Sequence, residues 1–103
     1  MVIPKLSDAE LASARRTAAE ARRQRAALKD KIRRGDLTLS QALDIAVDDP
    51  VLSRIRVIDL LMSVNRIGQK KAEAIMERLK IAANRRCRGL GRNQLEALKA
   101  EFG

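Results

Sequence analysis

Apolar residues recur along this chain at helical spacing, and no segment alternates apolar and polar positions as a half-buried strand does. The first periodic stretch opens at Ser7-Asp8-Ala9-Glu10, a capping-box signature with Ser at the cap and Glu at the third helical position. Ala, Arg, Lys and Leu dominate from there to Arg34, and Gly35 supplies the stop. The pattern predicts one helix of about 27 residues, about 40 Å long at a rise of about 1.5 Å per residue. Its apolar seam is Leu11, Ala14, Ala18, Ala21, Leu28 and Ile32, interrupted by Arg25. The seam is mostly Ala before Leu28, so only the end near Leu28 and Ile32 is expected to dock on a core.

Thr38-Leu39-Ser40-Gln41 is a second cap signature, opening a short helix through Ala42, Leu43 and Ala46 that Asp48-Asp49-Pro50 breaks. Val51 to Val64 reads as one or two helical stretches, with Val57, Leu60, Leu61 and Val64 on one buried face. Asn65-Arg66-Ile67-Gly68 forms a tight connection, and Ala72, Ile75, Met76 and Leu79 give a further helix from Gln69 to about Lys80. Gly89-Leu90-Gly91 is a glycine-pinched turn. Asn93 is then expected to cap a last helix, with Glu96 three residues on and Leu95, Leu98 and Phe102 facing inward. Met62 and Met76 are expected as core filler, and Asp48 and Asp49 as helix-ending caps. The chain thus reads as all-α: residues 1–35 as a long basic helical arm and residues 36–103 as a compact body, together one structural unit.

Composition removes whole classes of function. The chain is 103 residues long and has no His, no Trp, no Tyr, one Cys and one Phe. A zinc site of four Cys or His ligands, an internal disulfide and histidine acid–base chemistry are therefore all excluded. Phe102 alone makes no stacking platform for nucleobases. No apolar run reaches the roughly 18 residues of a membrane span, and Met1-Val2-Ile3-Pro4-Lys5 lacks a signal-peptide core. A cytoplasmic location is expected, with no membrane, metal or cofactor partner.

Charge adds a direction. Lys and Arg total 22 against 13 Asp and Glu, a net +9. Residues 15–34 and 56–103 form two basic blocks around an acidic stretch, where Asp36, Asp44, Asp48 and Asp49 outnumber Arg54. Such an excess favours polyanionic partners. Along the first helix, Arg15, Arg22, Lys29 and Arg33 fall within about 40° of one another at 100° per residue. Arg16, Arg23 and Arg34 form a second line. The first row, with Arg23, is expected to give secondary contacts to the backbone of a nucleic acid; a solvated surface helix fits the same pattern. A membrane-surface helix does not, because its apolar face offers Ala.

Two turns carry the sharper signals. In Asn65-Arg66-Ile67-Gly68-Gln69-Lys70-Lys71-Ala72, a glycine precedes a helix start whose free amides and dipole suit a phosphate oxygen. Lys70 and Lys71 add charge there. This resembles a helix-hairpin-helix phosphate clamp with Arg66 at the usual first glycine; an ordinary helix connection with solvated lysines also fits. In Arg85-Arg86-Cys87-Arg88-Gly89-Leu90-Gly91-Arg92-Asn93-Gln94, four arginines surround two glycines before a helix start. Their mutual repulsion is relieved when phosphates neutralise them and release counterions, and the arginine fork suits bidentate phosphate contact. A solvated basic loop is the alternative. Cys87, between two arginines, reads either as a reactive thiol or as a small residue packed beneath the loop.

Taken in order, Ala19-Glu20-Ala21-Arg22-Arg23, Gly68 to Ala72, Ile75-Met76-Glu77-Arg78-Leu79-Lys80-Ile81-Ala82 and Arg85-Arg86-Cys87-Arg88-Gly89-Leu90-Gly91 resemble the actinobacterial integration host factor family over nearly the whole chain. The Arg-Arg-x-Arg-Gly-Leu-Gly run is the most specific part. The resemblance implies a helix-two-turns-helix (H2TH) body, an outline shared with a small-subunit ribosomal protein and with the formamidopyrimidine-DNA glycosylases. It implies sequence-non-specific binding of double-stranded DNA by a nucleoid-associated protein that bends or compacts it. It also implies a host-factor role in phage integration, with a phage integrase complex as partner. Arg85, Arg86 and Arg88 would then hold the DNA backbone or enter the minor groove, and Gly89 to Gly91 would bring main-chain amides to phosphate. The hairpin around Ile67 and Gly68, with Lys70 and Lys71, would grip a second phosphate stretch. Asn65 stands where the family commonly has Pro, and Cys87 where it has an aliphatic residue. An RNA-structural role of the same fold is the alternative. A glycosylase is not expected, since Pro4 lies behind three residues and no zinc-ligand set exists. The chain is expected to be a monomer whose first helix is partly disordered alone and orders on DNA.

Overall fold

The computed structural model describes residues 7–102; the expectations about Met1 to Lys5 and Pro4 lie outside them. Five α-helices and two short 3-10 turns follow one another, and no strand occurs among the described residues.

Helix α1 spans Asp8–Arg34. Ser7 Oγ accepts from the Glu10 amide at 3.2 Å, one half of the expected capping box. At the far end Gly35 takes φ 80, the left-handed conformation that glycine adopts without penalty, and its amide returns to Ile32. Acidic Asp8 and Glu10 lie in the first turn and Lys31, Arg33 and Arg34 in the last, the order that the helix dipole favours. Only Leu28 and Ile32 of this helix are buried. The Ala-rich half projects from the body as its sequence implies, and the described residues extend over 51 × 32 × 24 Å.

Helix α2, Leu39–Asp48, begins with a complete capping box between Thr38 and Gln41 and buries Leu39, Ala42, Leu43 and Ala46. The Asp49 carboxylate accepts from the amides of Val51 and Leu52, both at 2.8 Å. Those bonds start the first 3-10 turn, Leu52–Arg54. Helix α3, Val57–Ser63, contributes Val57, Leu60 and Leu61 to the core, and α4, Gln69–Arg78, contributes Ala72, Ile75 and Met76. α4 ends before the expected Lys80 because Lys80 turns left-handed at φ 59. The Ile81 amide then closes onto Met76 O and the Lys80 amide onto Glu77 O, a Schellman end without glycine.

The second 3-10 turn, Cys87–Gly89, is pinned to the start of α3. Val57 N donates to Arg85 O and Cys87 N to Ile55 O, each at 2.9 Å, around a bridge between Arg56 and Arg86. Helix α5 runs Arg92–Phe102, with Leu98 fully buried and Leu95 and Phe102 packed partly beneath it. Two expectations are corrected. Asn93 is not a cap but lies inside α5, because Gly91 opens the helix and the Gln94 side chain reaches back to the Gly91 amide at 3.1 Å. Met62 is 42% exposed and is not core, since the faces of α3 turned inward carry Val57, Leu60 and Leu61 instead.

Candidate nucleic-acid interface

The hairpin between α3 and α4 is closed by a bond from the Ile67 amide to Val64 O at 3.1 Å. Arg66 occupies the usual glycine position with φ 71, so an arginine has taken glycine's backbone conformation. Asn65 is exposed, and its Nδ2 donates to Arg33 O at 3.2 Å, which ties the hairpin to the last turn of α1. Ile67 is buried as an anchor. Gly68 opens α4 with no capping side chain. The first helical bond is Ala72 N to Gly68 O, so the amides of Gln69, Lys70 and Lys71 are those that the helix start leaves open. Gly68 has an ordinary negative φ, and a Cβ there would meet nothing within 4 Å. The fold therefore does not require glycine there. Lys70 and Lys71 are exposed and make no ion pair among the described residues.

The arginine turn is more engaged than its sequence suggests. Arg85 is half-buried and folds back so that Nη1 donates to Gly89 O at 2.9 Å. A Cβ at Gly89 would lie 2.9 Å from Arg85 Cδ, so this glycine makes room for Arg85. Arg86 Nη1 donates to Arg54 O at 2.5 Å. The amides expected to meet phosphate are taken up within the chain: Gly89 by Arg86 O, Leu90 by Cys87 O and Gly91 by Gln94 Oε1. The amides left open lie one step on, at Arg92, Asn93 and Gln94 in the first turn of α5. Arg92 itself is exposed and faces Glu96 at 3.8 Å. Cys87 is buried beneath the turn, and burial pushes its thiol up to about 11, so the packed reading of this residue holds and the reactive one does not.

Arg86 and Arg88 reach a cleft of about 580 Å³ that they share with Arg25 and Lys29 of α1 and with Arg54, Ile55, Arg56 and Asp59. Six cations face one carboxylate in it. Arg25, Arg54 and Arg56 escaped the sequence reading as site residues. Arg25 did carry a signal, as the charge that breaks an apolar seam, and Arg54 stood alone in an acidic stretch. Lys29 joins the cleft as its row on α1 implied, and Arg33 adjoins the hairpin through Asn65. Arg15 and Arg22 lie exposed on the projecting half of α1. Arg23 does not join them: it lines a separate depression with Arg16 and Glu20. Its guanidinium pairs with Glu20 at 2.6 Å and holds that carboxyl below its ordinary range.

Among the described residues no group of three or more His, Cys, Asp and Glu is placed to hold a metal ion, and no helix is long and apolar enough to cross a membrane.

Residues 32–102 match the family described as the S13-like H2TH domain. The chain is 46% identical over 103 residues to an integration host factor of Mycobacterium tuberculosis, covering 100% of this chain and 98% of that protein. It is 45% identical to one of Mycolicibacterium smegmatis, covering 99% and 97%, and 38% identical to one of Streptomyces coelicolor, covering 100% and 96%. In three dimensions it resembles a structure of sIHF bound to an 8-bp palindromic DNA, with a TM-score of 0.82 and 39% identity over 85% of this chain and 99% of that one.

Proposed function

The chain belongs to the integration host factor family of actinobacteria, within the S13-like H2TH class, and from that premise we propose that it binds double-stranded DNA through its backbone as a non-enzymatic architectural protein of the nucleoid. The observation that carries this is the gathering of six cations around one carboxylate in a single cleft. The cleft of six cations opens beside α1, and the Asn65–Arg33 bond sets the hairpin against the end of that same helix. One duplex backbone can therefore run from the arginine turn past Lys29 and Arg33 to the open start of α4. A similar structure bound to DNA supports the ligand class.

Contacts of this kind read shape and charge rather than base edges, so little sequence preference is expected. The duplex is proposed to bend or compact as it follows this surface. A monomer in the cytoplasm, working on the nucleoid and beside a phage integrase complex, completes the proposal. Gel shifts of short duplex DNA and matched duplex RNA, titrated across several salt concentrations, test it. DNA is expected to be preferred, with log affinity falling by about 0.9 per phosphate contact per log unit of salt. Preference for RNA would move the protein to an RNA-structural role, and salt-insensitive binding would remove the backbone mode altogether.

A further inference from the structure

A carboxylate stands in a cleft that otherwise attracts phosphate. Asp59 is the third residue of α3 and lies among the six cations. Its two oxygens accept from Arg56 Nε at 3.1 Å and Nη2 at 3.3 Å. Both side chains remain partly exposed, at 52% for Arg56 and 33% for Asp59. Among the described residues, Arg56 is the cation of this cleft that already holds an anion. Arg86, by contrast, is held on the Arg54 carbonyl. The two parallel N–H groups that grip Asp59 are those that would grip two oxygens of a phosphodiester, because carboxylate and phosphate match the guanidinium fork in the same way.

We propose that this cleft is a seat for a backbone phosphate, with Arg54, Arg56 and Arg88 as its ligands, and that Asp59 is a built-in competitor which Arg56 leaves when phosphate enters. Without phosphate the Asp59 carboxylate holds the Arg56 guanidinium through these two bonds. On loading, Arg56 exchanges one anion for another, and the released carboxylate repels the incoming phosphate. Asp59 thereby sets the affinity below what the six cations alone would give. This inference rests on the duplex-DNA reading and adds to it residues, Arg54, Arg56 and Asp59, that neither turn motif includes.

The test is fluorescence anisotropy of the full chain on a short mixed-sequence duplex across a salt series. Unmodified protein, Asp59→Asn, Arg56→Ala and the double variant are compared, with circular dichroism as the fold control. Asp59→Asn is expected to bind about three- to fivefold tighter, the range that releasing an exposed ion pair allows. Its salt slope should stay nearly the same, because Arg56 makes its phosphate contact in both proteins. Arg56→Ala is expected to weaken binding, and in its background Asp59→Asn should gain clearly less. Equal or weaker binding by Asp59→Asn with intact helix content overturns the proposal, leaving Asp59 as a group that positions Arg56. An equal gain in both backgrounds also overturns it, because that is plain repulsion without exchange. If Asp59→Asn melts early, Asp59→Ser makes the same comparison. Failure of the unmodified chain to bind duplex at all refutes the DNA reading itself, and that control separates the two failures.

Discussion

Arg66 and Cys87 show how far a single residue's role depends on its backbone and its depth. Arg66 sits at φ 71, a region that costs a non-glycine residue about 1–2 kcal/mol. Arg66→Gly is expected to raise stability slightly, by about 0.5–1 kcal/mol after glycine's own entropy cost. It is also expected to weaken duplex binding most at low salt. Urea denaturation and a salt-dependent gel shift check the two halves. For Cys87, burial raises the thiol from its ordinary 9.0 to about 11. The folded state therefore holds the proton more tightly than the unfolded one. The resulting stability is fully present below about pH 9 and is lost as pH rises toward 11. A thiol-specific reagent at pH 8 should leave the native protein unmodified and react at once in denaturant.

At the level of elements, the helix ends divide into those that support the core and those that do not. The Thr38–Gln41 box closes on both sides and opens a helix whose inner face is wholly buried. Thr38→Ala should lower the global unfolding free energy by about 1 kcal/mol. Ser7 makes the same type of bond, but at the tip of an arm with nothing buried before Leu28. Ser7→Ala should therefore reduce helix content by circular dichroism while leaving the global melting temperature unchanged, because local opening of the arm is uncoupled from the core. Equal effects of the two substitutions would show that the arm folds as one unit with the body. The caps were legible because they are local: Ser, Thr and Gly act within three residues of the helix they bound. The end of α4 was not legible, because Lys80 took a conformation that its side chain does not advertise.

For the whole molecule, the four arginines of one sequence run separate into different tasks. Arg88 is exposed and lines the cleft, whereas Arg85 is half-buried and holds the Gly89 carbonyl. Arg88→Ala should leave the fold unchanged, weaken binding to all duplexes alike and lower the salt slope by about 0.9. Arg85→Ala should instead lower the melting temperature, with its binding loss following from a loosened turn. Thermal melts beside salt titrations separate the two; a pair of variants that behave alike in both would mean that the turn acts as one cationic unit.

The sequence by itself determined the helices, most of their ends, the dockable part of α1 and the two turns where cations gather, because capping and helical periodicity are written within a few neighbouring residues. It also determined the sign of the partner, since net charge needs no fold. Only the tertiary structure decided which cations share a cleft. Arg25, Arg56 and Arg88 are far apart along the chain and meet because the bridge between Arg56 and Arg86 clamps the arginine turn to the start of α3 beside α1. It decided as well that Gly89 serves Arg85, that Asn65 braces the hairpin and that Cys87 is buried. The cleft and the Asn65–Arg33 bond are long-range pairings, set by how the helices pack, and no local pattern of residue types encodes them; Arg85 and Gly89 are only four residues apart, but their contact depends on the fold of the turn.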